Sequence, residues 1–159
     1  MPVRFWVAAC AVSVLPDADA ILHNLGVPYS HPLGHRGFWH SLTFAAVVAG
    51  VVTVWLLRER RWWVFLFLFV VGASHGVLDA MTDGGLGVAF FAPFENTRYF
   101  LPWRPLVVGP IGIVPFFSAW GVEVMISEIL HVWLPLAGLL LVAEVTRKSR
   151  SRHAGNKPA

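Results

Sequence analysis

The sequence predicts an all-α protein, an integral membrane bundle of about four transmembrane helices with two long polar connections at one face. Three observations predict it. Hydrophobic residues make up 57% of the chain and charged residues 13%, against roughly 25% charged in a soluble domain. Several apolar runs approach or reach the roughly 20 residues that cross a bilayer core. The basic residues also collect on one side of those runs, as the positive-inside rule requires. A soluble chain this apolar would expose surface it could not cover, so lipid is the expected solvent.

The first run, residues 5–16 (FWVAACAVSVLP), is too short to span unless it starts at the very N-terminus or the chain begins further upstream. Cys10 is the only cysteine. It excludes an intrachain disulfide or a thiolate metal cluster and reads as a small apolar residue of this helix. The stretch before it is too short for a signal core, although cleavage after Ala20 would remove Asp17 and Asp19.

Residues 42–57 and 62–80 form the second and third runs, each long enough to span. Residues 129–145 form the fourth if 125–128 extend it. Arg4, the group Arg58, Arg60 and Arg61, and the group Arg147, Lys148, Arg150, Arg152 and Lys157 then share one side. Arg36, Arg98 and Arg104 remain on the other. Both termini are therefore expected in the cytoplasm. Residues 1–146 read as a single helical membrane domain and 147–159 as a basic, disordered cytoplasmic tail. The net charge of +3 follows from this topology. No aromatic–basic interleave suggests nucleic acid as a partner.

The two connections, residues 17–41 and 81–121, do not look like simple loops. The first holds Asp17, Asp19, His35, Arg36 and His40; the second is rich in Gly, Pro and aromatics. His35 and His40 stand at the entry to the second span, and His75 and Asp79 in the last turns of the third, which returns to the same face. Glu128 and His131 open the last span. Ionisable groups beside apolar runs are costly, and imidazole and carboxylate are common ligands of zinc and similar ions. Their convergence at one depth points to a metal site there.

Spacing adds detail. His75 and Asp79, four apart, share a helix face and can grip one ion. His35 and His40, five apart, stand about 140° from each other on a helix. The workable arrangement has His35 in a loop and His40 in the first turn, with Gly37 allowing a tight approach. Asp17 and Asp19 suit a loop that bridges ions or orients an imidazole. Ser41 reads as a helix-start hydrogen-bonder, since no nucleophile elbow surrounds it. Glu128-x-x-His131 occurs once, whereas di-iron bundles need two copies of such a motif.

The elements P-D-A-D (16–19), H-R-G-F-W-H-S (35–41), H-G-V-L-D-A-M-T-D-G-G (75–85) and A-P-F-E-N-T-R-Y-F-L-P-W-R-P (92–105) run in order along nearly the whole chain. In these the sequence resembles the bacterial membrane-bound metal-dependent hydrolases, also described as LexA-regulated inner-membrane hydrolases. That family is distantly similar to zinc-dependent phospholipase C. The resemblance implies a helical inner-membrane protein with a divalent-metal site, zinc being the expected ion. The implied ligands are Asp17, Asp19, His35, His40, His75 and Asp79. Family members usually begin with a longer segment carrying a Thr-His pair, which this sequence starts too late to include; a missing ligand or a misassigned start would explain it.

On this reading a metal-bound water attacks a phosphoester, plausibly in a lipid head group at the membrane boundary. Arg36 is expected to hold an anionic group bidentately, and Asp19 or Asp83 to act as general base. Phe90, Phe91, Phe94, Tyr99, Phe100 and Trp103 would either admit lipid or form an ordinary aromatic belt. The alternative is a non-enzymatic metal-binding or regulatory membrane protein. A transporter would want its ionisable groups near the midplane.

Overall fold

The computed structural model describes residues 2–56 and 61–155. Arg58, Arg60 and Lys157, which enter the charge-based topology, lie outside the described residues. Among those described there is no β-strand, only two isolated bridges, Thr82 with Leu106 and Val88 with Tyr99. The bundle is helical throughout, as the composition requires.

Helix α1 (Val3–Val14) passes directly into a 3-10 turn (Leu15–Asp19) and then α2 (Ala20–Asn24). Together they make one apolar stretch, Val3–Asn24, of 22 residues. The first run is thus longer than residues 5–16 suggest. Pro16 sits at the start of the 3-10 turn, where its missing N–H is tolerated, so it tightens the helix without ending it. Asp17 and Asp19 consequently lie in a helical turn and not in a loop.

A second 3-10 turn (Phe38–His40) leads into α3 (Leu42–Leu56), capped by Ser41, whose Oγ accepts from the Phe44 N–H at 3.0 Å. Its 15 described residues cover about 22 Å at 1.5 Å per residue. Helix α4 (Arg61–Ala80) and the stretch Ala119–Arg150 are long enough to cross.

The chain then forms α5 (Ile113–Phe116), α6 (Ala119–Glu128), a π-helical turn (Ile129–Trp133) and α7 (Leu134–Gly155). Glu128 and His131 therefore lie within a continuous helix and do not open one. The described part of residues 147–159, expected to be a disordered tail, continues α7 as helix to Gly155.

The core joins α1, α3 and α4 through Phe5, Ala9, Val12, Ala49, Val64 and Leu68. Alanines at such contacts let backbones approach closely, the usual basis of helix association in lipid. Outward side chains such as Trp55, Val70 and Leu139 are largely exposed, as suits a surface that faces acyl chains. Among the described residues, helix α7 packs on none of α1, α3 or α4.

The two connections fold onto each other over the same end of the bundle. The Ala89 N–H donates to the Arg36 carbonyl and the Leu42 N–H to that of Phe90. Arg98 donates to the carbonyls of His35, Tyr29 and His31 at 2.7, 3.0 and 3.1 Å. The sequence pattern placed both connections on one side, and these bonds join them there. Within the cap Phe94 and Trp103 are exposed.

Candidate metal centre

Local geometry brings the polar residues inward. A 3-10 turn advances about 120° per residue, so Asp17 and Asp19 leave their turn in different directions. Asp19 is fully buried, whereas the Asp17 side chain is 56% exposed. On α4, His75 and Asp79 share a face as their spacing predicts, Nε2 to Oδ2 3.9 Å. A Cβ on Gly76 would stand 2.8 Å from the His40 carbonyl oxygen, so only glycine lets α4 approach that turn and set His75 beside His40. Gly37 is similarly confined, since a Cβ there would collide with the Pro32 carbonyl.

The expected ligand residues meet. The His40 Nε2 lies 3.1 Å from Asp79 Oδ2 and 3.7 Å from Asp17 Oδ1, and the His75 Nε2 lies 3.3 Å from the same Asp17 oxygen. The rings of His35 and His75 stand 5.4 and 5.0 Å from that of His40. Two overlapping sets, Asp17–His35–His40 and His40–His75–Asp79, each present ligand atoms within 4.8 Å of one another. His40 belongs to both.

The opposite ring nitrogens of His35 and His75 are held by hydrogen bonds. His75 Nδ1 lies 2.8 Å from the Ser13 carbonyl oxygen, so it must donate there. His35 Nδ1 lies 2.7 Å from Asp19 Oδ1, and His40 Nδ1, 3.1 Å from Asp19 Oδ2, faces that carboxylate without hydrogen-bond alignment. Protons placed on Nδ1 leave each Nε2 with a lone pair, the pattern of metal-binding histidines whose other nitrogen is tied to a carboxylate or carbonyl. Asp19 is thus an orienting group beneath two imidazoles. Ser13 was invisible as a site residue in the sequence because it contributes only backbone.

The site fits a cation. His40 Nε2 and Asp79 Oδ2 are buried and, although 3.1 Å apart, are not aligned for a hydrogen bond. Ligand atoms about 2.1 Å from a shared tetrahedral centre stand roughly 3.4 Å apart, close to the separations here. Charge leads to the same conclusion. Burial alone would push the His40 imidazole down, but Asp17, Asp19 and Asp79 around it outweigh burial and raise its pKa to about 10. Three acids around one buried ring hold positive charge, either a proton or a metal.

Arg36 takes a role different from the expected one. It is 3% exposed, its backbone is left-handed (φ 60°), and its guanidinium donates to Asp79 Oδ1 (3.1 Å), Thr82 Oγ1 (2.8 Å) and the Gly84 carbonyl (3.1 Å). It turns the other Asp79 oxygen toward His40. Asp83 stands apart: exposed, its Oδ1 accepts from the Val108 N–H at 2.9 Å and braces the cap. His131 also stays outside the cluster, its Nδ1 2.9 Å from the Ser127 carbonyl.

Beside the cluster lies a cavity of about 840 Å³. Asp17, His35, His75 and Asp79 form one wall, while Val124, Glu128, Val132 and Trp133 form another. It occupies the gap between the α1–α4 bundle and the α6 stretch, which the cap tethers through Val107 N–H to Ser127 Oγ and Trp120 Nε1 to the Val108 carbonyl.

A helical bundle this apolar is a membrane protein, and sequence comparison says of which kind. The profile of the YdjM inner membrane protein family matches residues 2–151. The chain belongs to that family. The Escherichia coli (strain K12) inner membrane protein YbcI is 40% identical to this YdjM-family member over 148 residues, which cover 89% of this chain and 83% of YbcI. No solved structure matches it. Both names concern the membrane; hydrolysis and metal rest on the site itself.

Proposed function

We propose that the chain is a membrane-bound, metal-dependent hydrolase acting on a phosphoester, a lipid head group being the substrate in view. His35, His40, His75, Asp17 and Asp79 would hold one or more Zn²⁺ or similar ions, oriented by Asp19 and Arg36. The observation that carries this reading is the convergence of imidazole nitrogens and carboxylates whose outward atoms are already tied to acceptors and donors. A bound ion of this kind lowers the pKa of a water toward about 7 and polarises a phosphoryl oxygen.

An adjoining cavity supports catalysis over a purely structural site, because a substrate can reach Asp17 and His75 from it. The proposed topology is multi-pass with both termini cytoplasmic, which sets the cluster at the outer boundary where head groups lie. A second reading, a non-enzymatic metal-binding membrane protein, draws on the engagement of Arg36 and Asp83 with other partners.

Protein purified in detergent should carry stoichiometric metal and release a head group from phospholipid micelles, with activity lost on chelation and restored by Zn²⁺. Stoichiometric metal with no hydrolysis of phospholipids or generic phosphodiesters would favour the second reading, and metal-free protein would defeat both. Asp19→Asn keeps the shape but removes the charge that fixes two imidazoles. It is expected to weaken metal affinity about 10- to 100-fold, read by competition with a chelating dye. An unchanged affinity would reduce Asp19 to packing.

A further inference from the structure

The cavity wall facing the metal cluster carries Glu128, half-buried within a membrane-crossing helix. Among the described residues no Arg, Lys or His forms an ion pair with it. The Trp133 indole, whose N–H is a neutral donor, lies on its side of the cavity and leaves the charge uncompensated. A carboxyl group kept in the bilayer marks a functional site by default.

The helix is also irregular there. Residue 133 would stand about 140° from 128 on an α-helix. In the π turn Ile129–Trp133 hydrogen bonds run to the fifth residue, so Trp133 comes round to the Glu128 face. Phe116 and Phe117 line the same cavity. A carboxylate in a cavity that aromatic side chains also line suits an organic ammonium ion, by charge and by cation–π attraction. It would repel a phosphate and gain nothing from an acyl chain.

We infer that the cavity recognises a phosphoester bearing an ammonium group, with the phosphate toward Asp17 and His75 and the ammonium toward Glu128, Trp133, Phe116 and Phe117. This rests on the hydrolase reading for its phosphate end only. The ammonium end stands on Glu128 and its aromatic neighbours.

The test uses full-length protein in detergent, titrated calorimetrically with ethanolamine phosphate, glycerol 3-phosphate and ethanolamine. Metal-loaded protein should bind ethanolamine phosphate about tenfold tighter than glycerol 3-phosphate, and Glu128→Gln should abolish that preference at unchanged metal content. Equal affinities in the wild type, or a preference surviving in Glu128→Gln, would overturn the inference. Ethanolamine measured in chelator separates the two failures. Binding that Glu128→Gln removes would keep the ammonium site even if the protein held no metal, and no binding would overturn it. Mixed micelles of phosphatidylethanolamine against phosphatidylglycerol then assign the source. A tenfold preference there makes the ligand a lipid head group, and a preference confined to soluble esters makes it a free phosphoester.

Discussion

His40→Ala is expected to empty the metal centre. His40 is common to both candidate ligand sets, and its Nε2 lies between Asp17 and Asp79. Without that ring the two carboxylates lose the group that bridges them, and the remaining His35 and His75 belong to separate sets. Loss of a group that merely orients a ligand weakens metal binding by about 10- to 100-fold, so loss of a shared ligand should exceed the upper figure. Metal per chain, measured by elemental analysis after gel filtration, should fall from near stoichiometric to near zero. His131→Ala provides the comparison, because that ring bonds the Ser127 carbonyl and stacks edge-on against Trp103 outside the cluster. Wild-type metal content in His40→Ala would refute the site as described.

Arg36→Met is expected to have the largest effect on stability. The guanidinium is buried and holds the Asp79 carboxylate at 3.1 Å, with Thr82 and Gly84 on its other side. Met keeps much of the volume and bears the same left-handed backbone, so the change removes the charge together with the bonds to Thr82 and Gly84. Removing one partner of a buried ion pair costs about 3–5 kcal/mol when the other charge is left uncompensated; His40, 3.1 Å from the other Asp79 oxygen, offsets part of this, so the lower figure is expected. For a chain of this size that corresponds to a fall in the unfolding midpoint on the order of 10 °C, measurable by thermal unfolding of metal-free protein in detergent. A change of a degree or two would mean that Asp79 needs no partner. Measuring without metal separates this effect from any loss of binding.

The sequence pattern captured the membrane bundle and the convergence of its polar residues at one end, with particular failures that have physical causes. The first apolar run read as residues 5–16, yet a 3-10 turn absorbs Pro16 and carries the chain on to Asn24. His75 and Asp79 were readable as a pair because a helix face depends only on spacing. His35 and His40 were readable as neighbours, but Asp19 was readable only as either a bridging or an orienting carboxylate, since nothing local distinguishes the two. Arg36 read as an anion clamp because its type suits phosphate; its carboxylate partner, Asp79, comes from another helix. Glu128 stood out only as half of an incomplete motif, and the π turn that brings Trp133 beside it leaves no mark in the pattern of apolar residues.

Taken by itself, the chain's order of residues determined where helices run, which solvent they face and at which depth the ionisable groups gather. Those properties follow from hydropathy and spacing along one segment at a time. Tertiary structure alone decided which imidazole nitrogens face the cluster, which carboxylate is buried beneath them and which opens to the cavity, and that this cavity extends to Glu128. Such assignments depend on distances of about 3 Å between groups from different segments, set by close approaches such as that of Gly76 to the His40 carbonyl. Local preference acts within a segment, whereas the chemistry of this site arises between segments.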